Sequence, residues 1–274
     1  MLRNSRLRWL LGLLAVFSLL AVACGDDSES GDDGGSGGDG ESAVAVPECL
    51  DFQALYALTG PESTGFANWS DATALADEVG SAFGSEFPDA PLTITGPGEE
   101  SGTYDTYVEF IIEGLAEERG LPEEEFAARP DYTSSPNDNV IIEGVSGTEG
   151  SLGWVGFAFA EENSDVVREL EIAGEDGTCV APTIESISDG SYALSRPLFI
   201  YVNAAEAESN PALGAYVDYY LGDEGYQAVA DAGYVQLLDE NWATTQGAWT
   251  DAGGSPGEAE EGVSGEVVIS GSST

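Results

Sequence analysis

Pro91-Leu92-Thr93-Ile94-Thr95-Gly96-Pro97-Gly98-Glu99-Glu100-Ser101-Gly102-Thr103-Tyr104-Asp105 reads as a strand, a glycine–proline turn and the first turn of a helix. Downstream of it, Tyr104, Tyr107, Val108, Ile111, Ile112 and Leu115 fall at i, i+3, i+4, i+7, i+8 and i+11, which is one buried face of a helix. Further along the chain, the apolar run Leu152–Phe159 predicts a buried strand, and Leu198-Phe199-Ile200-Tyr201-Val202 predicts another. Ala212 to Gly233 reads as helical, with Leu213, Tyr216, Val217, Tyr220 and Leu221 on one side. Strands that alternate with helices predict an α/β architecture with largely parallel sheets. No internal repeat is evident.

Composition narrows the chemistry. The 274 residues contain seven arginines, no lysine, no histidine and 51 carboxylates. Three of the arginines (Arg3, Arg6, Arg8) precede position 10, so removal of the first 23 residues would leave four arginines against 51 carboxylates, a charge of −47. Such a surface repels phosphodiester backbones and anionic lipid, so nucleic acid is not an expected partner. Without histidine, Ser-His-Asp and Cys-His catalysis, histidine-ligated zinc and an imidazole base are all unavailable. Carboxylate pairs could still cleave glycosides or phosphoesters, yet no spacing singles out two residues for that work. The chain reads as a binding protein rather than an enzyme, with no cofactor and no metal.

The first 23 residues combine a basic start with the apolar run Trp9 to Val22, the layout of an export signal too short to span a bilayer comfortably. Its end, Leu20-Ala21-Val22-Ala23-Cys24-Gly25, resembles the bacterial lipobox, which would make Cys24 the lipidated first residue of the mature chain. An ordinary cleaved signal with an accidental cysteine is the plainer alternative. Residues 24–46 are mostly Gly, Ser, Asp and Glu, which predicts a disordered acidic tether. Cys49 and Cys179 are then left as an even pair outside the cytoplasm and read as a disulfide, with two buried free thiols as the alternative.

Ser101-Gly102-Thr103 is the sharpest local feature. At a helix start these residues offer two hydroxyls, unpaired backbone N–H groups and the positive end of the helix dipole, an outline of an oxyanion cradle. Plain N-capping by Ser101 or Thr103 explains the same letters. Glu99 and Glu100 would repel an anion unless they point away.

The order of motifs resembles the periplasmic phosphate-binding proteins. Glu48 to Leu58 followed by Phe66-Ala67-Asn68-Trp69-Ser70-Asp71 is similar to their helix and Trp-Asn/Ser-Asp turn, and Ile94 to Thr103 to their Ser-Gly-Thr loop. Gly150-Ser151-Leu152-Gly153-Trp154-Val155-Gly156, Ser195 to Val202 and Gly233-Tyr234-Val235-Gln236-Leu237 resemble, in the family's order, a Gly-x-Leu/Ile-Gly-Tyr strand, the crossover to the first domain and a closing strand. The resemblance implies a periplasmic-binding-protein-like (type II) two-lobe α/β fold, its second lobe nearly complete and its first partial, with the α/β domain at 47–252. It also implies inorganic phosphate as ligand, an ABC-transporter permease as partner, a monomeric state, and lipid anchoring to the outer face of the cytoplasmic membrane. Ser101, Gly102 and Thr103 would be phosphate ligands. Family members carry an arginine four residues before that serine; Pro97 stands there instead. Arg196 is the one arginine beyond the signal within a matching motif, and its place relative to the site stays open.

A flexible linker is expected at 253–264, and the strand and loop at 265–274 resemble the family's opening strand, with Thr274 as a further phosphate ligand. The rest of that lobe has no counterpart in the sequence, which suggests a circularly permuted and truncated arrangement. A surface lipoprotein that keeps the lobe for adhesion or scaffolding, without a ligand, is the competing expectation.

Overall fold

The computed structural model describes residues 44–258 and 262–271. Cys24, Thr274 and nearly all of the expected tether lie outside the described residues. Val44 and Val46 already belong to the folded unit. The Val44 amide donates to Glu149 Oε1 at 2.6 Å, and Val46 packs on the core.

The chain opens with β1 (Cys49–Leu50) and α1 (Phe52–Thr59), then α2 (Thr73–Glu78), β2 (Ile94–Gly96) and α3 (Gly102–Tyr107). A π-helical stretch, Val108–Glu113, carries α3 without interruption into α4 (Gly114–Glu118). There follow β3 (Thr133–Ser134), α5 (Asp138–Ser146), β4 (Leu152–Gly153), α6 (Phe157–Glu162), β5 (Glu171–Ala173), β6 (Cys179–Val180) and α7 (Ile184–Ser188). The last elements are α8 (Ala204–Ser209), α9 (Pro211–Tyr220), α10 (Asp223–Asp231) and α11 (Asp239–Asp251). Two three-stranded sheets result, β1-β5-β6 and β3-β2-β4, parallel except for the β5–β6 pair. Among the described residues no helix is long and apolar enough to cross a membrane.

The core follows from the amphipathic segments. Leu50, Tyr56, Leu58, Trp69, Ile111 and Ile112 are fully buried in one cluster with Ile94, Leu152 and Ile172. Asp51 begins α1 because its Oδ1 accepts from the Ala54 amide at 2.7 Å, and its Oδ2 also holds the Ala82 amide at 2.8 Å. The Asn68–Asp71 turn is built the same way: Asp71 Oδ2 accepts from the Ala67 and Asn68 amides, both at 2.9 Å. That turn seats Trp69, whose indole N–H donates to the Gly150 carbonyl at 2.8 Å. In the long helix, the π turn adds a residue and advances the inward face. Ala116, not Leu115, is the fully buried position at its end.

Cations are scarce, and the described ones act as struts. Arg119 binds Glu62 through two nitrogens and also reaches Glu78 at 3.1 Å, while the Tyr56 hydroxyl donates to Glu62 at 2.7 Å. The Arg119 hydrogen bonds hold the Glu62 carboxyl below its usual range. Arg129 closes the other end of the same loop on the Phe66 carbonyl at 2.8 Å. Arg168 caps the carbonyls of Val46 and Pro47.

Cys49 and Cys179 are bridged, with Cα atoms 6.0 Å apart, as expected. Other expectations need correction. The run at 152–159 is a two-residue strand followed by a helix, because a short apolar run does not by itself choose between the two. Leu198–Val202 and Val267–Ile269 form no strand, and Tyr201 and Val268 are 92% and 85% exposed. β-structure requires a neighbour to hydrogen-bond, and the described residues provide neither run with one. Gly233–Leu237 likewise forms no closing strand. The helix expected at 212–233 breaks at Leu221–Gly222 into α9 and α10, where Gly222 takes an extended conformation and packs so close to the Gly257 backbone that a side chain there would collide with it. The stretch read as a flexible linker is partly docked. The Ser255 amide donates to Asp218 Oδ1 at 2.6 Å, and the Gly257 amide to the Asp218 carbonyl at 2.7 Å.

Gly153 permits the closest approach in the β3-β2-β4 sheet. A Cβ there would collide with the Thr95 carbonyl oxygen and with the Val145 side chain on α5. Gly153→Ala is therefore expected to destabilise the fold by about 1–3 kcal/mol, as overpacking does. Urea denaturation of both proteins measures it; equal midpoints would show that the neighbours yield freely.

Candidate functional site

β2, β3 and β4 run parallel, so their carboxyl ends face one side of the sheet. In open α/β sheets that is the edge where ligands bind. A cavity of about 380 Å³ lies there. Its wall includes Pro97 after β2, Ser101 and Thr103 at the start of α3, Ser135 and Pro136 between β3 and α5, and Asp138 as the first residue of α5. Phe159, Ala232 and Tyr234 close the far side.

Ser101 caps α3: its Oγ accepts from the Thr103 amide at 3.2 Å. Capping and anion binding are compatible here, because the hydroxyl proton of Ser101 is still free to donate and the first N–H groups of a helix lack intrahelical acceptors. Gly102 is buried between the two cavity-lining residues. Ser135 is held deep in the wall. Its amide donates to the Gly96 carbonyl at 3.0 Å, and its Oγ accepts from the Asn137 amide at 3.1 Å and donates to the Asn137 carbonyl at 3.3 Å. Asn137 in turn caps α5 through the Asn139 amide at 3.0 Å. Trp154 lies against Gly96 and stacks on Tyr107 with ring centres 4.4 Å apart, which supports the sheet edge from below. Tyr132 donates its hydroxyl to the Pro97 carbonyl at 2.6 Å and so fixes the turn after β2.

The electrostatics are mixed. Glu100 and Asp138 both line the cavity, and among the described residues no basic side chain does. Burial raises the Asp138 carboxyl above its usual value. Burial also raises the Tyr132 hydroxyl, with Tyr104, Glu100 and Glu99 adding to it. Arg196 does not line the wall. Its Nε donates to Thr106 Oγ1 at 2.7 Å, one helical turn beyond Thr103. A Cys49–Glu171–Cys179 cluster stands close enough in space for a metal, but its two sulfurs are already bonded to each other.

Of the residues predicted from sequence, the structure brings Ser101 and Thr103 to one cavity with Gly102 between them. Ser135 and Asp138 were not anticipated. The signal for them was the cluster Ser134-Ser135-Pro136-Asn137-Asp138, a strand end running into a helix cap.

Residues 53–224 match the PBP superfamily domain. The chain belongs to that superfamily. Among curated members, the Protein SphX of Synechocystis sp. is 38% identical over 156 residues, which is 57% of this chain and 43% of the relative. The Phosphate-binding protein PstS of Staphylococcus epidermidis is 34% identical over 153 residues, 55% of this chain and 42% of the relative. The chain thus spans less than half the length of the curated relatives it matches. A solved structure described as a possible phosphate binding protein from Planctomyces limnophilus superposes with a TM-score of 0.60 at 28% identity, covering 77% of this chain and 67% of that one. The α/β fold of this PBP-superfamily chain is periplasmic-binding-protein-like.

Proposed function

We propose that the chain is an extracytoplasmic solute-binding lipoprotein that captures inorganic phosphate and passes it to an ABC-transporter permease, anchored by lipid on Cys24 to the outer face of the cytoplasmic membrane. One observation carries the reading: Ser101 and Thr103 open a helix into a cavity at the carboxyl ends of three parallel strands. The names of the SphX and PstS relatives and of the Planctomyces structure support phosphate as the ligand. In this account the hydroxyls of Ser101 and Thr103 and the amide of Gly102 bind the phosphate oxygens, the Ser101 and Thr103 amides being taken by the Gly98 carbonyl and by Ser101 Oγ, and Ser135 adds its hydroxyl by releasing the Asn137 carbonyl. Thr274 is the proposed ligand from the opposing lobe. Net charge cannot attract the anion to a −47 chain, so local N–H and hydroxyl dipoles must outweigh distant carboxylates in a water-poor cleft.

The two carboxylates of the wall favour a second reading, a surface lipoprotein that keeps this lobe without binding phosphate. Titration calorimetry with phosphate separates the two. Thr103→Val keeps the shape and the backbone N–H but removes one hydroxyl, and it should weaken phosphate binding about tenfold to a hundredfold, the worth of one hydrogen bond to a charged group. The partial first lobe leaves the chain itself a weak binder at best, so absence of phosphate binding in a chain extended with the family's remaining first-lobe segment is the result that would favour the second reading.

A further inference from the structure

The sheet β1-β5-β6 brings three metal-type donors to one corner. Cys49 lies opposite Glu171 in the parallel β1–β5 pair, and Cys179 lies opposite Ala173 in the antiparallel β5–β6 pair. Glu171 and Ala173 are two positions apart on β5 and so share a face, which the two cysteines share with them. A Glu171 carboxylate oxygen and both sulfurs consequently lie within 4.8 Å of one another, with the cysteine Cα atoms 6.0 Å apart. Backbone bonds hold this corner independently of the bridge. The Glu171 amide donates to the Glu48 carbonyl at 2.9 Å, and the Gly174 amide donates to the Thr178 carbonyl at 3.1 Å.

The carboxylate is the member that the bridge leaves unused. A disulfide has no hydrogen to donate to it. Glu171 is half-buried, yet among the described residues its carboxylate has neither a hydrogen bond nor an ion pair. The neighbouring cation turns elsewhere: Arg168 stands 3.9 Å from Glu48 and reaches the carbonyls of Val46 and Pro47. Two sulfurs beside an unpaired, half-buried carboxylate form the donor set of a borderline-soft cation, whereas calcium and magnesium require oxygen ligands throughout.

We propose that the dithiol form of this corner binds one Zn²⁺ through the Cys49 and Cys179 thiolates and the Glu171 carboxylate, with water in the fourth position. The chain carries free thiols before its bridge forms, and a dithiol or phosphine reductant restores them. On binding, each thiol gives its proton to water. A disulfide oxidant later takes two electrons from the sulfurs, the S–S bond closes, the cation leaves, and the oxidant is reduced to two thiols. The strands β1 and β6 are thus clipped by metal before oxidation and by a covalent bond after it. The strongly negative surface favours the encounter with a cation.

The intact chain, reduced with a phosphine and titrated with Co²⁺ and then Zn²⁺, tests this. One Co²⁺ per chain should produce the intense thiolate-to-cobalt absorption, which Zn²⁺ should abolish by displacement. Zn²⁺ should also raise the melting temperature of the reduced chain by about 5 °C or more, or refold the chain where reduction has unfolded it. Neither response is expected from the oxidised chain or from the double variant Cys49→Ser, Cys179→Ser. Glu171→Gln should weaken Co²⁺ binding about tenfold or more. Glu48→Gln, next to Cys49 in the chain but exposed, should change it less than about threefold. No thiolate absorption, equal metal binding by the oxidised chain, binding without a gain in melting temperature or refolding, or equal losses in the two glutamate variants would each overturn the proposal.

Discussion

Loss of the Cys49–Cys179 bridge is expected to lower the stability of the folded unit by about 5 kcal/mol, the loop-closure value for cysteines 130 residues apart. The bridge joins β1 to β6, the two outer strands of one sheet, and encloses most of the residues that build the core. Without it the unfolded chain regains the freedom of that long loop, while the folded state loses little packing. Typical domains have total stabilities of roughly 5–15 kcal/mol, so the loss would leave a marginal fold. The double variant Cys49→Ser, Cys179→Ser should melt about 10–20 °C lower than the intact protein. Denaturant curves under non-reducing conditions measure the change. A difference below about 1 kcal/mol would mean that the unfolded chain is already compact enough for the cross-link to be superfluous.

Arg129→Ala is expected to cost about 1–3 kcal/mol, less than for a fully buried ion pair because Asp131 is partly open to solvent. Arg129 is only 5% exposed. Its Nε and Nη2 bind both oxygens of Asp131, at 2.6 and 2.7 Å, and Nη2 also donates to the Phe66 carbonyl at 2.8 Å. Asp131 Oδ2 in turn accepts from the Gly65 amide at 2.9 Å. Removing the guanidinium therefore leaves a carbonyl and a carboxylate without their donor, and Arg129→Lys cannot reproduce the fork. The arginine holds the Asp131 carboxyl down at about 2, below its unfolded value. Its stabilising effect is thus fully present above the ordinary carboxylate range near pH 4 and fades as pH falls toward 2. The stability gap between Arg129→Ala and the unaltered protein should narrow over that window. A gap that stays constant from pH 7 to pH 2 would show that the arginine acts by packing alone.

What could be read from the chain in advance was local. The turn after Thr95, the helix face from Tyr104 to Ile112 and the cap at Ser101 are each determined by residues a few positions apart. The family motifs were legible for the same reason. Ser135 and Asp138 joined the site only through the pairing of β2 with β3, nearly forty residues apart, which no local pattern states. Phe157 to Phe159 became helical because their apolar letters suit either structure, and Leu198 to Val202 stayed unpaired because a strand is a property of two segments. The carboxylates of the cavity wall illustrate the same limit: Glu100 was visible as a difficulty, whereas Asp138 reached the site at the start of another helix.

α9 has a further role as a splint. Near its carboxyl end Asp218 holds Ser255 and Gly257, while at its amino end the Asn210 side chain donates to the Glu266 carbonyl at 3.0 Å. Gly257 and Glu266 are thus both tied to one helix, about 15 Å long. The exposed run Val267-Val268-Ile269 therefore starts one residue from an anchor on α9, so its point of departure is fixed by that helix even though the run itself has no neighbour among the described residues.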